Sequence, residues 1–275
     1  MDLSKNIQYI YRNDLKFNNK FGENDIFESD DVKSMYDSYK KKPKIELRLE
    51  DSKIENYSYL DLSKLDIDDE YLKELLKLDR IKNILKKIPM LDLSNNKISK
   101  YPDIKEYQNI IIINIDNNNI EQDIFEDNII ELCCSNNKIK SINSQSLIRL
   151  IASNNNIKSI NIPKINMLII NNNELNDICS YLDLKYLECI SNNIQQIDCM
   201  INLEELYVSN NKLNNICNMP KLKVLNCTSN PINKIKYFSE LEILMSSTPN
   251  ISSQYIIKNI SKAKQDFIIN FNTNE

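Results

Sequence analysis

The residues best equipped for chemistry in this 275-residue sequence are its seven cysteines. Cys179, Cys189 and Cys199 stand ten apart, as do Cys217 and Cys227, and Cys133 and Cys134 are adjacent. A thiolate metal site draws on close pairs such as Cys-x-x-Cys, and the chain has none. An odd number of cysteines, with no secretion signal, points to reduced thiols rather than a disulfide framework. Small buried apolar packing is the expected role for them. With no histidine, neither a Ser-His-Asp nor a Cys-His relay can be assembled. The single glycine, Gly22, excludes a glycine-rich phosphate loop and a dinucleotide fingerprint. Carboxylate pairs such as Asp68-Asp69 and Glu204-Glu205 have no convergent acid–base partner, so solvated surface is their expected role. No catalytic residue, cofactor or metal is expected.

The elements that position these residues come from a repeat. Ser-Asn-Asn-Lys stands at 94–97, 135–138 and 209–212, inside a longer pattern, L-x-x-L-x-L-x-x-N-x-L, with Ile, Val, Cys or Ala allowed at L. Ten copies begin at Tyr57, Ile88, Ile110, Ile129, Leu147, Ile165, Leu184, Leu203, Leu222 and Leu241. The first interval is 31 residues, the second 22, and later ones 18 or 19. The ninth position holds Asn96, Asn118, Asn137, Asn155, Asn173, Asn192, Asn211 and Asn230, with Leu65 and Pro249 as exceptions. Asn, Ile and Lys are abundant and Gly, Ala and Arg scarce, which suggests an A/T-rich genome. Codon bias does not set spacing, however.

This pattern, over about residues 57–251, resembles the leucine-rich-repeat family. A second Ile three residues past the eleventh position (Ile142, Ile160, Ile178, Ile197, Ile216, Ile235) makes it most similar to the short bacterial-effector and phosphatase-regulator variants. The resemblance implies an α/β solenoid: a curved parallel β-sheet with a mostly non-helical convex side. Physical chemistry leads to the same architecture. A copy of 18–19 residues cannot bury its own apolar side, so copies must stack, each strand bonding the next. The fourth and sixth positions then point into the core, each large aliphatic contributing roughly 1.5–3 kcal/mol. The ninth-position asparagine, a buried amide, can bridge its own turn and its neighbour's.

Residues 1–56 are expected to form an N-terminal cap or arm, with a helix near 30–39 and a strand at 45–49, and residues 252–275 a C-terminal cap, with a short helix at 253–264 and a closing strand at 267–271. The segment from Asp68 to Leu85, apolar at 72, 75, 76, 81, 84 and 85, predicts one amphipathic convex helix. Later connections are too short for full helices.

The net charge of −4 argues against nucleic acid as a partner. No run approaches the roughly 18 apolar residues of a membrane span, and the polar N-terminus has no signal-peptide core; the expected location is cytoplasmic. What stands out is the concave face, positions 3, 5 and 7. Solvated strand positions should be polar, yet Ile151, Met167, Ile169, Tyr186, Ile190 and Tyr207 fall on neighbouring strands. With Arg149, Glu188 and Glu205 they form the expected binding site for a protein partner. Asp61, Asp92, Asp116 and Glu131 add to the acidic surround, favouring a partner with basic character. The expected function is a non-enzymatic protein-interaction module. The alternative is an adaptor that recruits an effector, such as a ubiquitin ligase or phosphatase, through residues 1–56.

Overall fold

The structure is a computed structural model that describes residues 59–232, 234–235, 238–246 and 269–270. The expected helices and strand at 30–49 and 253–264 lie outside the described residues. Ten three-residue strands, β1 (Tyr59–Asp61), β2 (Met90–Asp92), β3 (Ile112–Asn114), β5 (Glu131–Cys133), β7 (Arg149–Ile151), β9 (Met167–Ile169), β11 (Tyr186–Glu188), β13 (Glu205–Tyr207), β14 (Val224–Asn226) and β16 (Ile243–Met245), pair in that order as one parallel sheet. Each strand is positions 3 to 5 of a copy, and the register is unbroken: Tyr186 faces Met167 on one side and Glu205 on the other. The chain is therefore a leucine-rich-repeat solenoid, as the spacing requires.

The register follows from what lies beneath. Every fourth-position side chain, from Leu60 to Leu244, is 3% exposed or less. A one-residue slip of any strand would turn this column into solvent. The sixth column is also buried but narrower, and Cys134, Cys189 and Cys227 sit in it as packing residues. Burial pushes the Cys134 and Cys189 thiols well up from their ordinary range.

The opposite side is mostly extended. Short strands β4 (Ile124–Phe125), β6 (Ser141–Asn143) and β8 (Ser159–Asn161) form one small parallel sheet, and β10 (Asp177–Ile178) pairs with β12 (Gln196–Ile197). The second Ile is buried at Ile142, Ile178, Ile197 and Ile216 and partly buried at Ile160, where it packs against the same core. Near the end β15 (Lys234–Ile235) pairs antiparallel with β17 (Ile269–Asn270), which falls within the closing strand expected at 267–271.

The single convex helix is a correction. Two helices replace it, α1 (Asp69–Lys77) and α2 (Asp79–Leu85), separated by Leu78, which is extended at φ −68° and ψ 125°. The cause is helical phase. Leu72 and Ile81, Leu75 and Ile84, and Leu76 and Leu85 are each nine residues apart, which is about two and a half turns at roughly 3.6 residues per turn. One continuous helix would present two apolar stripes on opposite faces. The break at Leu78 resets the phase, so Leu72, Leu75, Ile81, Ile84 and Leu85 are all buried in the same core. Asp68 caps α1, its carboxylate accepting from the Tyr71 N–H at 2.8 Å.

Candidate functional site: the concave sheet and its asparagine turns

The turn that leaves each concave strand uses its two asparagines for different purposes. The ninth-position residues Asn96, Asn118, Asn137, Asn155, Asn173, Asn192, Asn211 and Asn230 are all 8% exposed or less. Asn173 is representative. Its Nδ2 donates to the Ala152 carbonyl of the preceding turn at 2.9 Å, and to Ile170 and Asn171 of its own at 3.3 and 3.0 Å. Its Oδ1 accepts from the Ile157 N–H at 2.9 Å. Equivalent bonds run from Asn96, which reaches the Leu62 carbonyl, to Asn230, which reaches that of Val208. Each amide thus ties its turn to the one before.

The eighth position serves the backbone. Asn95, Asn117, Asn136, Asn154, Asn172, Ser191, Asn210 and Ser229 have φ between 52° and 58°. That left-handed region is costly for most side chains and least so for asparagine among non-glycine residues. In a chain with one glycine, asparagine makes the turn. The asparagine side chains are exposed and form a second ladder: Asn136, Asn154 and Asn172 each donate Nδ2 to the Oδ1 of the asparagine one turn earlier, at 2.8, 2.8 and 2.9 Å.

With the turns fixed, the concave side chains fall into rows. Arg149, Met167, Tyr186 and Glu205 are lateral neighbours in one row, and Ile151, Ile169, Glu188 and Tyr207 in the next. All eight are half-buried, as is Ile190 at the seventh position. The Tyr186 and Tyr207 rings lie with centroids 5.6 Å apart at 39°. Tyr186 donates its hydroxyl to Glu188 Oε2 at 2.8 Å, and Tyr207 donates to Glu205 Oε2 at 2.9 Å. Burial and the bond to Glu205 push the Tyr207 hydroxyl up to about 12, and Tyr186 moves up for the same reasons. Both phenols therefore stay neutral donors, each tied to a carboxylate on its own strand.

Two features of this surface escaped the sequence reading. Asn171, at a seventh position, donates Nδ2 to Glu188 Oε1 at 2.6 Å and accepts from the Ile190 N–H at 2.7 Å. The apolar surface also continues past Tyr207 through half-buried Val224, Ile243 and Met245. Their third- and fifth-position register was the available signal. Arg149, by contrast, is turned toward β5: its Nε lies 3.6 Å from Oε2 of Glu131, a carboxylate only 2% exposed.

Toward β1 the same face is acidic. Asp92 accepts from the Ser94 N–H at 2.8 Å and from Asn114 Nδ2 at 3.3 Å. Burial, together with the nearby Asp61 charge, raises its pKa. Asp116 accepts from the Ser135 N–H at 2.5 Å, and burial with the Asp92 charge pushes it up to about 6. Burial raises Glu131 too, against the pull of Arg149. Among the described concave positions, six carboxylates (Asp61, Asp92, Asp116, Glu131, Glu188, Glu205) face one guanidinium, Arg149.

The other candidate chemical groups take structural places. Asp69 accepts from the Ser99 N–H at 2.8 Å and from the Ser99 hydroxyl, joining α1 to the turn after β2. With Asp68 as helix cap, neither acid of that pair is idle surface. Glu204 pairs with Lys223 at 2.7 Å. The expectation of uniformly reduced thiols is corrected at Cys199 and Cys217, which are joined as a disulfide with Cα atoms 5.6 Å apart. They stand 18 residues apart on adjacent turns, and stacking brings them together. Among the described residues, no group of three or more His, Cys, Asp or Glu gathers as a metal site, and no helix is long and apolar enough to cross a membrane.

Comparison with known proteins supports the architecture. The leucine-rich repeat domain of APL1B superposes with a TM-score of 0.54 at 21% identity, covering 69% of this chain and 60% of that one. The LRIM1/APL1C complex matches with a TM-score of 0.51 at 18% identity, covering 72% of this chain and 50% of that chain. This chain thus spans about half to three-fifths of the solved chains it matches. At such identities the likeness is one of fold. No protein-family model and no curated protein matches the sequence.

Proposed function

We propose that this leucine-rich-repeat solenoid is a non-enzymatic interaction module that holds a protein partner on its concave sheet across β7 to β13. The observation that carries the reading is the continuous half-exposed shelf of Ile151, Met167, Ile169, Tyr186, Ile190 and Tyr207 on strands whose outward positions are ordinarily polar. Aromatic side chains held by hydrogen bonds lose little entropy on binding, which suits them to an interface. The solved neighbours agree at the coarse level, since one of them is a complex between two named proteins.

The test is comparative affinity capture from the native cell with the wild-type chain and the double variant Ile151→Asp/Ile169→Asp. Both side chains point away from the core, so the variant should melt within about 2 °C of wild type, as surface substitutions do. Proteins enriched by wild type should be lost from the variant eluate. Equal recovery of the same proteins by both forms would remove the concave shelf as the contact surface.

A further inference from the structure

The concave sheet is chemically divided along the solenoid axis, and the division bears on what it holds. From β7 onward its outward positions are mostly apolar or aromatic, with Arg149, Glu188, Glu205 and Asn226 as the polar exceptions on the strands; from β1 to β5 Asp61, Asp92, Asp116 and Glu131 stand beside Tyr59, Met90 and Ile112. The lone guanidinium of the face, on Arg149, lies beside Glu131 at the boundary. Glu188 and Glu205 accept from tyrosine hydroxyls, and Glu188 also from Asn171. The acids of the first three turns bond to amide donors, the backbone N–H groups of Ser63, Ser94 and Ser135 and the Asn114 side chain. A partner crossing this face meets a net negative field at one end and an apolar shelf at the other.

Resting on the concave-face reading above, we infer that the occupant is an extended protein segment, apolar where it crosses β7 to β13 and cationic where it crosses β1 to β3. Charge complementarity selects the cation and orients the segment, while apolar burial holds it. Strand spacing sets the distance between the two features. Neighbouring strands lie about 4.8 Å apart, so Ile169 on β9 is roughly 14 Å along the axis from the β3 strand that precedes Asp116 and roughly 24 Å from Asp61 on β1. At about 3.3 Å per extended residue, the lysine or arginine stands about four to seven residues from the apolar anchor. A nucleic acid is repelled by the same carboxylates.

A displayed library of random twelve-residue peptides, selected on the intact chain, tests this. The inference expects enrichment of Lys or Arg about four to seven positions from an aliphatic or aromatic pair. Two variants assign the features. Asp92→Asn/Asp116→Asn, in which the amide oxygens still accept from Ser94 and Ser135, should weaken synthetic members of the enriched pool roughly tenfold. Ile151→Asp/Ile169→Asp should abolish their binding. An enriched pool that needs Ile151 and Ile169 but shows no basic preference, or is indifferent to the Asp92/Asp116 change, overturns the cationic segment and leaves the concave site standing. A pool that binds the Ile151/Ile169 variant as well as wild type, or no enriched pool, overturns both.

Discussion

Replacing Asn173 by alanine is the sharpest test of how the turns are held. The substitution removes the acceptor for the Ile157 N–H and the donor for the Ala152 carbonyl, both in the preceding turn. Asn173 is 7% exposed, so water does not readily replace the amide. Each group left unpaired in the interior costs roughly 1–3 kcal/mol, and partial relaxation places the expected loss near 3 kcal/mol. At about 2–4 °C per kcal/mol for a chain of this size, the melting temperature should fall by roughly 6–12 °C. The control is its neighbour. Asn172 sits at φ 52° with an exposed side chain, and glycine adopts that conformation freely, so Asn172→Gly should change stability by no more than about 0.5 kcal/mol. Asn172→Ala places a β-carbon in the left-handed region and should cost about 1–2 kcal/mol. Urea denaturation followed by far-UV circular dichroism gives the order: Asn173→Ala largest, Asn172→Ala intermediate, Asn172→Gly smallest. If Asn173→Ala lost no more than Asn172→Gly, the division between backbone residue and bridging amide would be wrong.

Further outcomes follow from the buried charges and thiols. Asp116 is held near 6 against an ordinary 3.8, so the fold binds its proton more tightly than the unfolded chain does, and stability is lost as pH rises through about 6. Asp116→Asn should therefore raise stability at pH 7.5 by roughly 1–2 kcal/mol, given the partial solvation of the site, with the gain shrinking toward zero near pH 4. Arg149→Met leaves Glu131 in place without its guanidinium and should cost about 3–5 kcal/mol at pH 7.5. The loss should diminish on acidification as Glu131 takes up a proton, and adding Glu131→Gln to the same chain should restore most of it. Because Cys199 and Cys217 are paired, alkylation of the unreduced, denatured chain should give adducts at Cys133, Cys134, Cys179, Cys189 and Cys227 alone. Labelling of Cys199 and Cys217 under those conditions would restore the fully reduced chain.

Much of the architecture was legible in the sequence because its determinants repeat. The apolar columns at the first, fourth, sixth and eleventh positions admit one stacking in which all are buried, and that stacking places a strand at the third to fifth positions of every copy. The ninth-position asparagines were readable for the same reason, since any chain turning inward there must satisfy its backbone. Even the break at Leu78 was present in the nine-residue offset between the two apolar sets, although the apolar positions from 72 to 85 read together suggested one amphipathic helix. Other features depend on neighbours in adjacent turns: the Arg149–Glu131 pair and the Cys199–Cys217 bond, each 18 residues apart, and the tilted Tyr186 and Tyr207 rings, 21 apart. Sequence spacing makes such residues candidates for contact. Whether they bond depends on side-chain direction, on competing partners such as Asn171 for Glu188, and on burial, all set only once the turns are stacked. The repeat alone determined that there would be a concave face; tertiary packing decided how its charges and rings are arranged, because contacts such as Asn171 to Glu188, Ser135 to Asp116 and Arg149 to Glu131 form between turns.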